Sequence, residues 1–256
     1  MLVEAKDIGD GVRMLTLNRS PANAIDRGFN RALAEQCDAA RADAAVRAVI
    51  VAGNGRFFSG GVDLRAGESG EMVANLGGGP EDGVFALWTL PKPTVAMVNG
   101  HAIAGGTIIA LACDFRITCE GRHKFGLNEV SIGLVFPQGA FEIARMALTP
   151  RALRDAALGA ELFEAPRALE LGIVDEVVAP ERLEERCVAL ARRLAAHGQL
   201  AYAHTKRAIQ REPLARVTAQ RRGDLLEVAE VTRSEETRRL LAGQLANLGR
   251  TNLGKK

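Results

Sequence analysis

The feature that most constrains the fold is a short strand that runs through a glycine-rich turn directly into an apolar helix. Residues 94–98 have the composition of a buried strand, residues 99–106 form the turn, and residues 107–113 form the apolar run. Where glycines turn the backbone and a helix begins at once, unpaired N–H groups point outward from the helix start. Such a start attracts negative charge, either on a bound anion or on a reacting group.

A lone carboxylate follows the same stretch. Glu129 lies among small and apolar residues in the segment 125–129 (FGLNE). A group of backbone donors followed by an isolated acid indicates polarisation of a carbonyl group coupled to proton transfer. The alternative for a lone glutamate is an exposed position on a loop.

A second glycine-rich turn, residues 53–64 (GNGRFFSGGVDL), follows another short strand. That strand, residues 46–52, is almost entirely apolar, as expected in a sheet that is covered on both faces. Residues 66–83 are rich in Gly, Glu and Ser and are expected to form a mobile loop of the kind that covers a site. Further strands are predicted at 12–18 and 173–178, and helices from the N-cap Asp26 to 43 and at 84–90, 139–148, 149–159, 163–171, 180–196, 200–211 and 213–248. Strand–turn–helix units therefore fill the front of an α/β chain, and helices fill the back.

The composition favours a globular protein that binds a small molecule. The 256 residues suffice for one large domain, or for one domain with an appendage. Hydrophobic residues make up 47% and charged residues 25%, the balance of a soluble protein. Aromatic residues are only 4% and the formal net charge is +2, which does not favour a surface for nucleic acid.

Cysteine and histidine spacing predicts neither a metal site nor a disulfide framework. The four cysteines lack CxxC spacing and the four histidines form no metal-binding set, which fits a reducing cytoplasm. The first seven residues are charged and lack the apolar region of a secretory signal. Residues 93–113 are nearly uncharged, but their glycines and polar residues favour a buried strand–turn–helix over a membrane span. We expect a cytoplasmic protein with no membrane partner.

The two glycine-rich turns and the glutamate segment together resemble the crotonase, or enoyl-CoA hydratase/isomerase, family. Residues 58–64 (FSGGVDL) resemble its first oxyanion-hole motif, and residues 99–106 (NGHAIAGG) resemble its second. Residues 125–137, from the FGLNE segment to a proline, resemble its catalytic glutamate segment, and residues 165–178 resemble its usual passage from helix to strand. The resemblance extends over about residues 3–250, and three motifs in the right order are far more specific than one.

The resemblance implies a fold, an assembly and a substrate class. The fold is an α/β, crotonase-type spiral of ββα units over residues 1–195. A C-terminal helical layer, residues 196–256, is expected to serve in trimerisation, giving a homotrimer or a hexamer made of two trimers. The implied substrate is an acyl-CoA thioester, so that coenzyme A enters as part of the substrate and no separate cofactor is expected.

The family's functional residues also carry over to this sequence. Its two oxyanion donors fall on the backbone N–H groups of Val62 and Gly105, and its acid/base glutamate falls on Glu129. Two N–H groups that converge on a thioester oxygen stabilise the enolate by about 3 kcal/mol each. The resemblance places contacts to coenzyme A at Ala22, Ala24, Ser59, Gly60, Gly61, Asp63 and Leu64. The acyl pocket is expected to include Phe85, Trp88, Ile108 and Leu134, with ordinary core packing as the alternative for the two aromatic residues.

One position departs from the hydratase pattern. Hydratases of the family carry a second glutamate where this chain has Ile108. Addition of water is easiest with two carboxylates, whereas moving a double bond from C3 to C2 needs only one base. The FGLNE segment also resembles the Δ3,Δ2-enoyl-CoA isomerase branch, so an isomerase is the favoured prediction. A hydratase, another thioester-enolate enzyme such as a decarboxylase or hydrolase, and a non-catalytic acyl-CoA-binding protein are the alternatives.

Several polar residues receive weaker predictions. Asp63 is expected mainly to hold its turn together through hydrogen bonds to backbone N–H groups. His101 is expected to be a packed turn residue, and Glu142 is expected to be exposed on a helix. Lys206 or Arg207 is expected either to contact a phosphate of coenzyme A or to lie on a solvated helix face.

Overall fold

The computed structural model describes residues 1–67 and 83–253. Two β-sheets lie at the centre of this part of the chain. The strands are β1 (Val3–Asp7), β2 (Val12–Leu17), β3 (Ala48–Gly53), β4 (Phe57–Ser59), β5 (Thr94–Val98), β6 (His101–Ile103), β7 (Phe115–Cys119), β8 (Phe125–Gly126) and β9 (Glu176–Val178). The larger sheet has the order β1-β2-β3-β5-β7-β9, and the smaller sheet has the order β4-β6-β8. Paired strands are parallel except β1 and β2, which are antiparallel.

Helices cover the sheets and form the last part of the chain. The α-helices are α1 (Arg27–Ala42), α2 (Gly83–Trp88), α3 (Gly105–Ala112), α4 (Gln138–Ala147), α5 (Pro150–Ala157), α6 (Ala165–Glu170), α7 (Leu183–Ala195), α8 (Gln199–Thr232) and α9 (Glu235–Leu253). Short 3-10 helices occupy Leu64–Gly67, Glu129–Ile132 and Pro180–Arg182.

Both faces of the larger sheet are buried at β3, as the apolar run of residues 46–52 predicts. On β3, Val49 and Val51 pack into the main core together with residues of α1, α2 and α3. Ala48 and Ile50 point to the opposite face and pack beneath α7. Because side chains alternate along a strand, a strand that is covered on both sides must be apolar at every position.

The glycine-rich turns contain short strands that the sequence does not predict. β4 lies in the first turn and β6 in the second, and Phe57 of β4 pairs with His101 of β6. Ala102 of β6 pairs in turn with Phe125 of β8. Strands of two or three residues are too short for alternation to reveal them. The chain thus passes from a strand of the larger sheet to one of the smaller sheet and, after β6, into a helix, which is the expected ββα unit.

Two predicted helix starts are confirmed by their caps. The Asp26 carboxylate accepts a hydrogen bond from the backbone N–H of Phe29 at 2.7 Å. The Thr149 hydroxyl accepts one from the N–H of Ala152 at 3.2 Å, with Pro150 in the first turn. Each cap satisfies one of the N–H groups that a helix leaves unpaired at its start.

The prediction that Pro213 separates two helices is wrong. α8 runs without interruption from Gln199 to Thr232, and Pro213 lies inside it. Contacts on both sides of the proline hold the helix: Gln210 donates to the carbonyl oxygen of Trp88 at 2.7 Å, and Arg216 binds a buried carboxylate of α4. Tertiary packing therefore outweighs the hydrogen bond that a proline removes from a helix interior.

The last helix packs against its own chain. Leu241 of α9 forms a small apolar cluster with Ile132 and Leu134. The hydroxyl of Thr237 donates to the carbonyl oxygen of Gly133 at 2.7 Å. The C-terminal helix therefore contacts the segment that follows Glu129.

Three expectations concern features that these elements do not test. The loop predicted over residues 66–83 lies outside the described residues except for its two ends. The division at residues 195 and 196 stays a prediction, as does trimerisation. Within the described ranges, none of the helices has the length and apolarity needed to cross a bilayer.

Candidate active site

The backbone N–H groups of Val62 and Gly105 point away from the hydrogen bonds that hold their own turns. Ile25 donates to the carbonyl oxygen of Gly61 at 2.8 Å and accepts from the N–H of Asp63 at 2.9 Å. Val62 lies between these two partners, so its own N–H points away from Ile25. Gly105 begins α3, and the first N–H of a helix has no acceptor within the helix.

The two glycine-rich turns, which carry Val62 and Gly105, lie against each other. A Cβ atom added to Gly105 would lie 3.7 Å from the backbone nitrogen of Val62 and 3.5 Å from the Cα of Gly61. Val62 and Gly105 both line one cavity, which has a volume of about 680 Å³. The N–H groups that the sequence singles out therefore belong to the same site.

Ala104, immediately before the second donor, has an unusual backbone conformation that sequence reasoning missed. Its φ is +54° and its ψ is −124°, and this residue is the N-cap of α3. A non-glycine residue in such a region costs about 1–3 kcal/mol. The Ala104 N–H donates to the carbonyl oxygen of Gly126 at 2.8 Å, and its carbonyl oxygen accepts from Ile108 at 3.2 Å. Strain of this kind persists where the surrounding structure holds a functional geometry.

Glu129 is buried beside these donors. It begins the 3-10 helix Glu129–Ile132, lines the cavity and is only 6% exposed. Its Oε2 atom has no hydrogen-bond partner among the described residues. Burial raises the pKa of the Glu129 carboxyl group to about 8, and a hydrogen bond from its own backbone N–H opposes this shift only in part. A carboxyl group with this pKa can accept and return a proton near neutral pH.

The other acid among the described wall residues, Asp63, is occupied. Its carboxylate forms ion pairs with Arg19 at 2.9 Å and with Arg65 at 3.0 Å. Burial raises the pKa of Asp63, but the hydrogen bonds from Arg65 and Arg19 outweigh burial and hold that pKa below its ordinary value. Asp63 thus remains a paired anion that holds its turn together, although side-chain ion pairs rather than N–H groups of the turn supply most of its partners.

Most of the predicted contact residues line the cavity. Ile108 is one of them, so an apolar side chain of α3 occupies the wall where a second carboxylate would be needed for water activation. Gln244 and Leu245 of α9 also line the cavity, and no motif pointed to them. The predicted residues on the wall are Ala22, Ala24, Gly60, Val62, Asp63, Leu64, Phe85, Gly105, Ile108, Glu129 and Leu134.

Trp88, Ser59 and Gly61 were predicted to contact the substrate, but they lie behind the described cavity wall. Trp88 is fully buried in the main core, where its ring packs edge-on against Phe85 with ring centres 5.6 Å apart. Ser59 is also fully buried; its hydroxyl donates to the carbonyl oxygen of Asn23 at 2.8 Å and accepts from the N–H of Gly61 at 3.2 Å. Trp88, Ser59 and Gly61 therefore support the described wall rather than form it, and direct contact of these three residues with a ligand stays a prediction.

The predictions for two charged residues of the helices, Glu142 and Lys206, are wrong. Glu142, predicted to be exposed, is 0% exposed and binds Arg216 at 2.8 Å. Lys206 is buried and forms an ion pair with Asp114 at 2.9 Å, so it is not available to a phosphate group. In both cases a partner distant in the sequence compensates the buried charge, and periodicity along one helix cannot reveal that partner.

His101 is a packed turn residue, as predicted, and Arg207 lies on a solvated helix face, which was one of its two predicted positions. The Nδ1 atom of His101 accepts from the backbone N–H of Lys124 at 3.1 Å, and its ring packs against Phe57 with centres 4.9 Å apart. Arg207 lies on an exposed part of α8. Neither residue lines the cavity.

Almost the whole chain matches one protein family. Residues 7–246 match the enoyl-CoA hydratase/isomerase family. The chain belongs to this family. The crotonase-type fold inferred from the motifs is confirmed by structures of other enoyl-CoA hydratase/isomerase proteins. Human mitochondrial Δ3-Δ2-enoyl-CoA isomerase superimposes with a TM-score of 0.89 at 26% identity, over 98% of this chain and 99% of that one.

Other similar members carry different activities in their names. The enoyl-CoA isomerase of Mycobacterium tuberculosis superimposes with a TM-score of 0.79 at 30% identity, over 90% of this chain and 98% of that one. A carnitinyl-CoA dehydratase of Salmonella arizonae is 38% identical over 194 residues, which are 75% of this chain and 74% of that protein. Membership of the enoyl-CoA hydratase/isomerase family therefore does not decide which reaction this chain catalyses.

Proposed function

We propose that this chain is a Δ3,Δ2-enoyl-CoA isomerase, which moves a double bond of an acyl-CoA thioester from C3 to C2 with Glu129 as its one base. The observation that carries the proposal is the make-up of the cavity wall. Among the described wall residues Glu129 is the acid with a free oxygen, since Asp63 is held by two arginines and Ile108 is apolar. A wall with one available carboxylate suits a reaction that needs one base.

The first step removes a proton from C2 of the substrate. The Glu129 carboxylate takes this proton, and the electron pair of the C–H bond moves toward the thioester carbonyl to form a dienolate. The N–H groups of Val62 and Gly105 donate to the resulting oxyanion. Donors that are in place before the charge develops stabilise the transition state more than the ground state.

The second step returns the same proton to C4. Glu129, now neutral, donates the proton, and the electron pair of the C3–C4 double bond forms the new C4–H bond. The electron pair of the C1–C2 double bond becomes the C2–C3 double bond, and an electron pair of the oxyanion restores the thioester carbonyl. The carboxylate is regenerated without a net change in atoms or electrons. The proposed reaction thus balances without a metal ion or a redox cofactor, and coenzyme A takes part only as the thioester of the substrate.

The lining of the cavity suits the two halves of such a substrate. Pro21, Ala22 and Arg56 all line the cavity, and Arg56 is an exposed cation that suits the phosphate groups of coenzyme A. Phe85, Leu134 and other apolar side chains line the part that we assign to the acyl chain. Burial of apolar surface is the main source of affinity that such a pocket offers to a hydrocarbon chain.

Hydration of a 2-enoyl-CoA, or the reverse dehydration, is a second candidate. It is favoured by the 38% identity with a protein named carnitinyl-CoA dehydratase. In that reaction Glu129 would exchange a proton with C2, and another polar group would have to hold the water. No second free carboxylate lies among the described wall residues to do so, which is why the isomerase is preferred.

A paired assay tests the two candidates. The purified protein is given a 3-enoyl-CoA and, separately, a 2-enoyl-CoA, and double-bond migration and hydration are followed. Conversion of the first without hydration of the second supports the isomerase. Hydration of the second alone supports the second candidate, and binding of both esters without turnover would identify a non-catalytic acyl-CoA-binding member of the family.

The role of Glu129 is tested in the same assay. Glu129→Gln keeps the size of the side chain but removes the base, and should abolish isomerisation while leaving binding of the CoA ester intact. Glu142→Gln is the matched control, because this second buried carboxylate lies off the cavity wall. Turnover retained by Glu129→Gln, or lost equally in both folded variants, would contradict the proposed role.

We further propose that the chain assembles as a homotrimer or as a pair of trimers. The support comes from helix α8, on which Leu200 is 89% exposed, Leu226 is 68% exposed and Ile209 is 62% exposed. Burial of these side chains against other subunits would remove apolar surface from water. Sedimentation velocity distinguishes a monomer from a trimer and a hexamer, and a monomer would overturn this part of the proposal.

A further inference from the structure

Gly61 belongs to the turn that carries Val62 and faces the turn that carries Gly105, and it does not line the cavity. Its N–H donates to the Ser59 hydroxyl at 3.2 Å, and its carbonyl oxygen accepts from the N–H of Ile25 at 2.8 Å. Both backbone groups of Gly61 are thus used within the protein. A direct contact with substrate is therefore not what this glycine supplies.

The space beside Gly61 is filled by the turn that carries the second donor. A Cβ atom at Gly61 would lie 2.8 Å from the carbonyl oxygen of Ile103, 3.0 Å from the Cβ of Ala104 and 3.1 Å from the backbone nitrogen of Gly105. Two of these three neighbours are backbone atoms, which cannot rotate away as the end of a side chain can. Gly61 also has a φ of +84°, which glycine adopts readily.

From these contacts we infer that Gly61 is a positioning residue, whose missing side chain lets the turns approach closely enough for the Val62 and Gly105 N–H groups to bind one oxygen atom. This inference rests on the oxyanion-binding role in the proposed function. It assigns Gly61 to the spacing of the two donors and not, as its motif suggested, to binding coenzyme A.

Neighbouring contacts make this spacing rigid. The first turn is held to Ile25 by the hydrogen bonds on either side of Val62. The second turn is held by the hydrogen bond from Ala104 to Gly126. A methyl group at position 61 would therefore separate the two donors rather than be absorbed by a loose loop. Donors displaced by even a fraction of an ångström bind a developing oxyanion less well.

The chain offers a matched control for this test. Gly55 has the same φ of +84° but has no atom within 4 Å of an added Cβ. Gly61→Ala and Gly55→Ala thus impose a similar backbone strain, and only Gly61→Ala inserts a methyl group between the turns. A difference in activity between the two variants therefore reports the contact of the added methyl group with the second turn, and not the loss of a glycine.

The measurement is the spectrum of a bound 3-ketoacyl-CoA. Its enolate absorbs in the near ultraviolet, and stabilisation of the enolate depends on the donors whatever reaction the enzyme completes. Gly61→Ala should lower the bound enolate fraction, and lower kcat for a 3-enoyl-CoA about 10- to 100-fold, with KM little changed. Gly55→Ala should match the wild type in the spectrum, kcat and KM.

The outcomes separate this inference from the proposed function. Unchanged enolate formation and kcat in a folded Gly61→Ala variant, or equal losses in both variants, would overturn the role of Gly61. Enolate formation by the wild type without double-bond migration would overturn the isomerase and leave the role of Gly61 testable. If Gly61→Ala does not fold, the double variant G61A/A104G removes the Ala104 methyl group, which lies 3.0 Å from the added Cβ, and keeps the two backbone contacts. It should then form less bound enolate than Ala104→Gly alone, and equal enolate formation by these two variants would overturn the role of Gly61.

Discussion

The buried carboxylate of Glu142 on α4 and the guanidinium group of Arg216 on α8 lie 2.8 Å apart and join two helices that are distant in the sequence. Gln138 also donates to this carboxylate at 3.1 Å. Ala140 and Ile143 of α4 line the cavity, so the contact supports one wall of the site from behind. Because Glu142 is fully buried, these partners offset the cost of removing its carboxylate from water.

Removal of Arg216 should therefore destabilise the protein. Arg216→Met keeps the aliphatic part of the side chain but leaves the Glu142 charge with fewer partners, so we expect a lower melting temperature at neutral pH. Arg216→Met combined with Glu142→Gln should recover part of the loss, since no buried charge remains. Thermal unfolding of the four proteins of this cycle measures the coupling. Strictly additive losses would show that the pair is not coupled.

The activity should depend on pH through Glu129. The free enzyme needs this group as a carboxylate, and burial raises its pKa to about 8. We therefore expect kcat/KM to rise with pH and to level off above about pH 8. A pH–rate profile with a substrate whose chemistry limits turnover checks this. A profile that is already level at about pH 6 would mean that Glu129 has an ordinary pKa in solution.

Stability should depend on pH in the opposite direction. The pKa of Glu129 is 4.5 in its ordinary state and about 8 in the fold, so between these values the folded chain holds a proton that the unfolded chain has lost. The contribution of this group to the free energy of unfolding therefore falls as the pH rises from 4.5 to about 8.

Glu129→Gln removes this titration. The variant should be more stable than the wild type above pH 8, and the difference should disappear below about pH 4.5. Chemical denaturation at several pH values measures it, and Asp63→Asn is a useful comparison because that group remains a paired anion. A constant difference across the range would point to packing rather than to charge.

Ile108 should determine whether water can be added. Ile108→Glu places a second carboxylate on the cavity wall, and we expect it to raise hydration of a 2-enoyl-CoA above the wild-type level. Ile108→Gln is the control, because it introduces a polar group of the same size that cannot act as a base. Both variants should be less stable than the wild type, since position 108 is almost completely buried. Equal hydration by the two variants would argue against a carboxylate role at this position.

The sequence predicted the parts of the site that depend on local chemistry. The resemblance of the glycine-rich turns and of the glutamate segment to a known family placed the donors at Val62 and Gly105 and the base at Glu129, because each motif lies within a few neighbouring residues. The structure places all three on one cavity wall, and their roles stay predictions. The buried strands β3 and β5 were predicted from neighbouring residues as well.

Features that depend on partners distant in the chain were not predicted. Nothing near Glu142 in the sequence indicates that Arg216 will cover it, and nothing near Pro213 shows that contacts on both sides will keep α8 intact. The strain at Ala104 and the burial of Trp88 follow from packing between elements. β4, β6 and β8 are too short to produce a pattern of their own.

The contribution of α9 to the cavity has a consequence for the order of events during folding and binding. Pro21 and Gln244 line the same cavity, so its wall is closed by residues from both ends of the chain. A chain that has folded its sheets but not yet docked its last helix has donors and a base without a complete pocket. Conversely, a ligand that fills the pocket adds to the stability of α9, and the docking of that helix becomes part of the free energy of substrate binding.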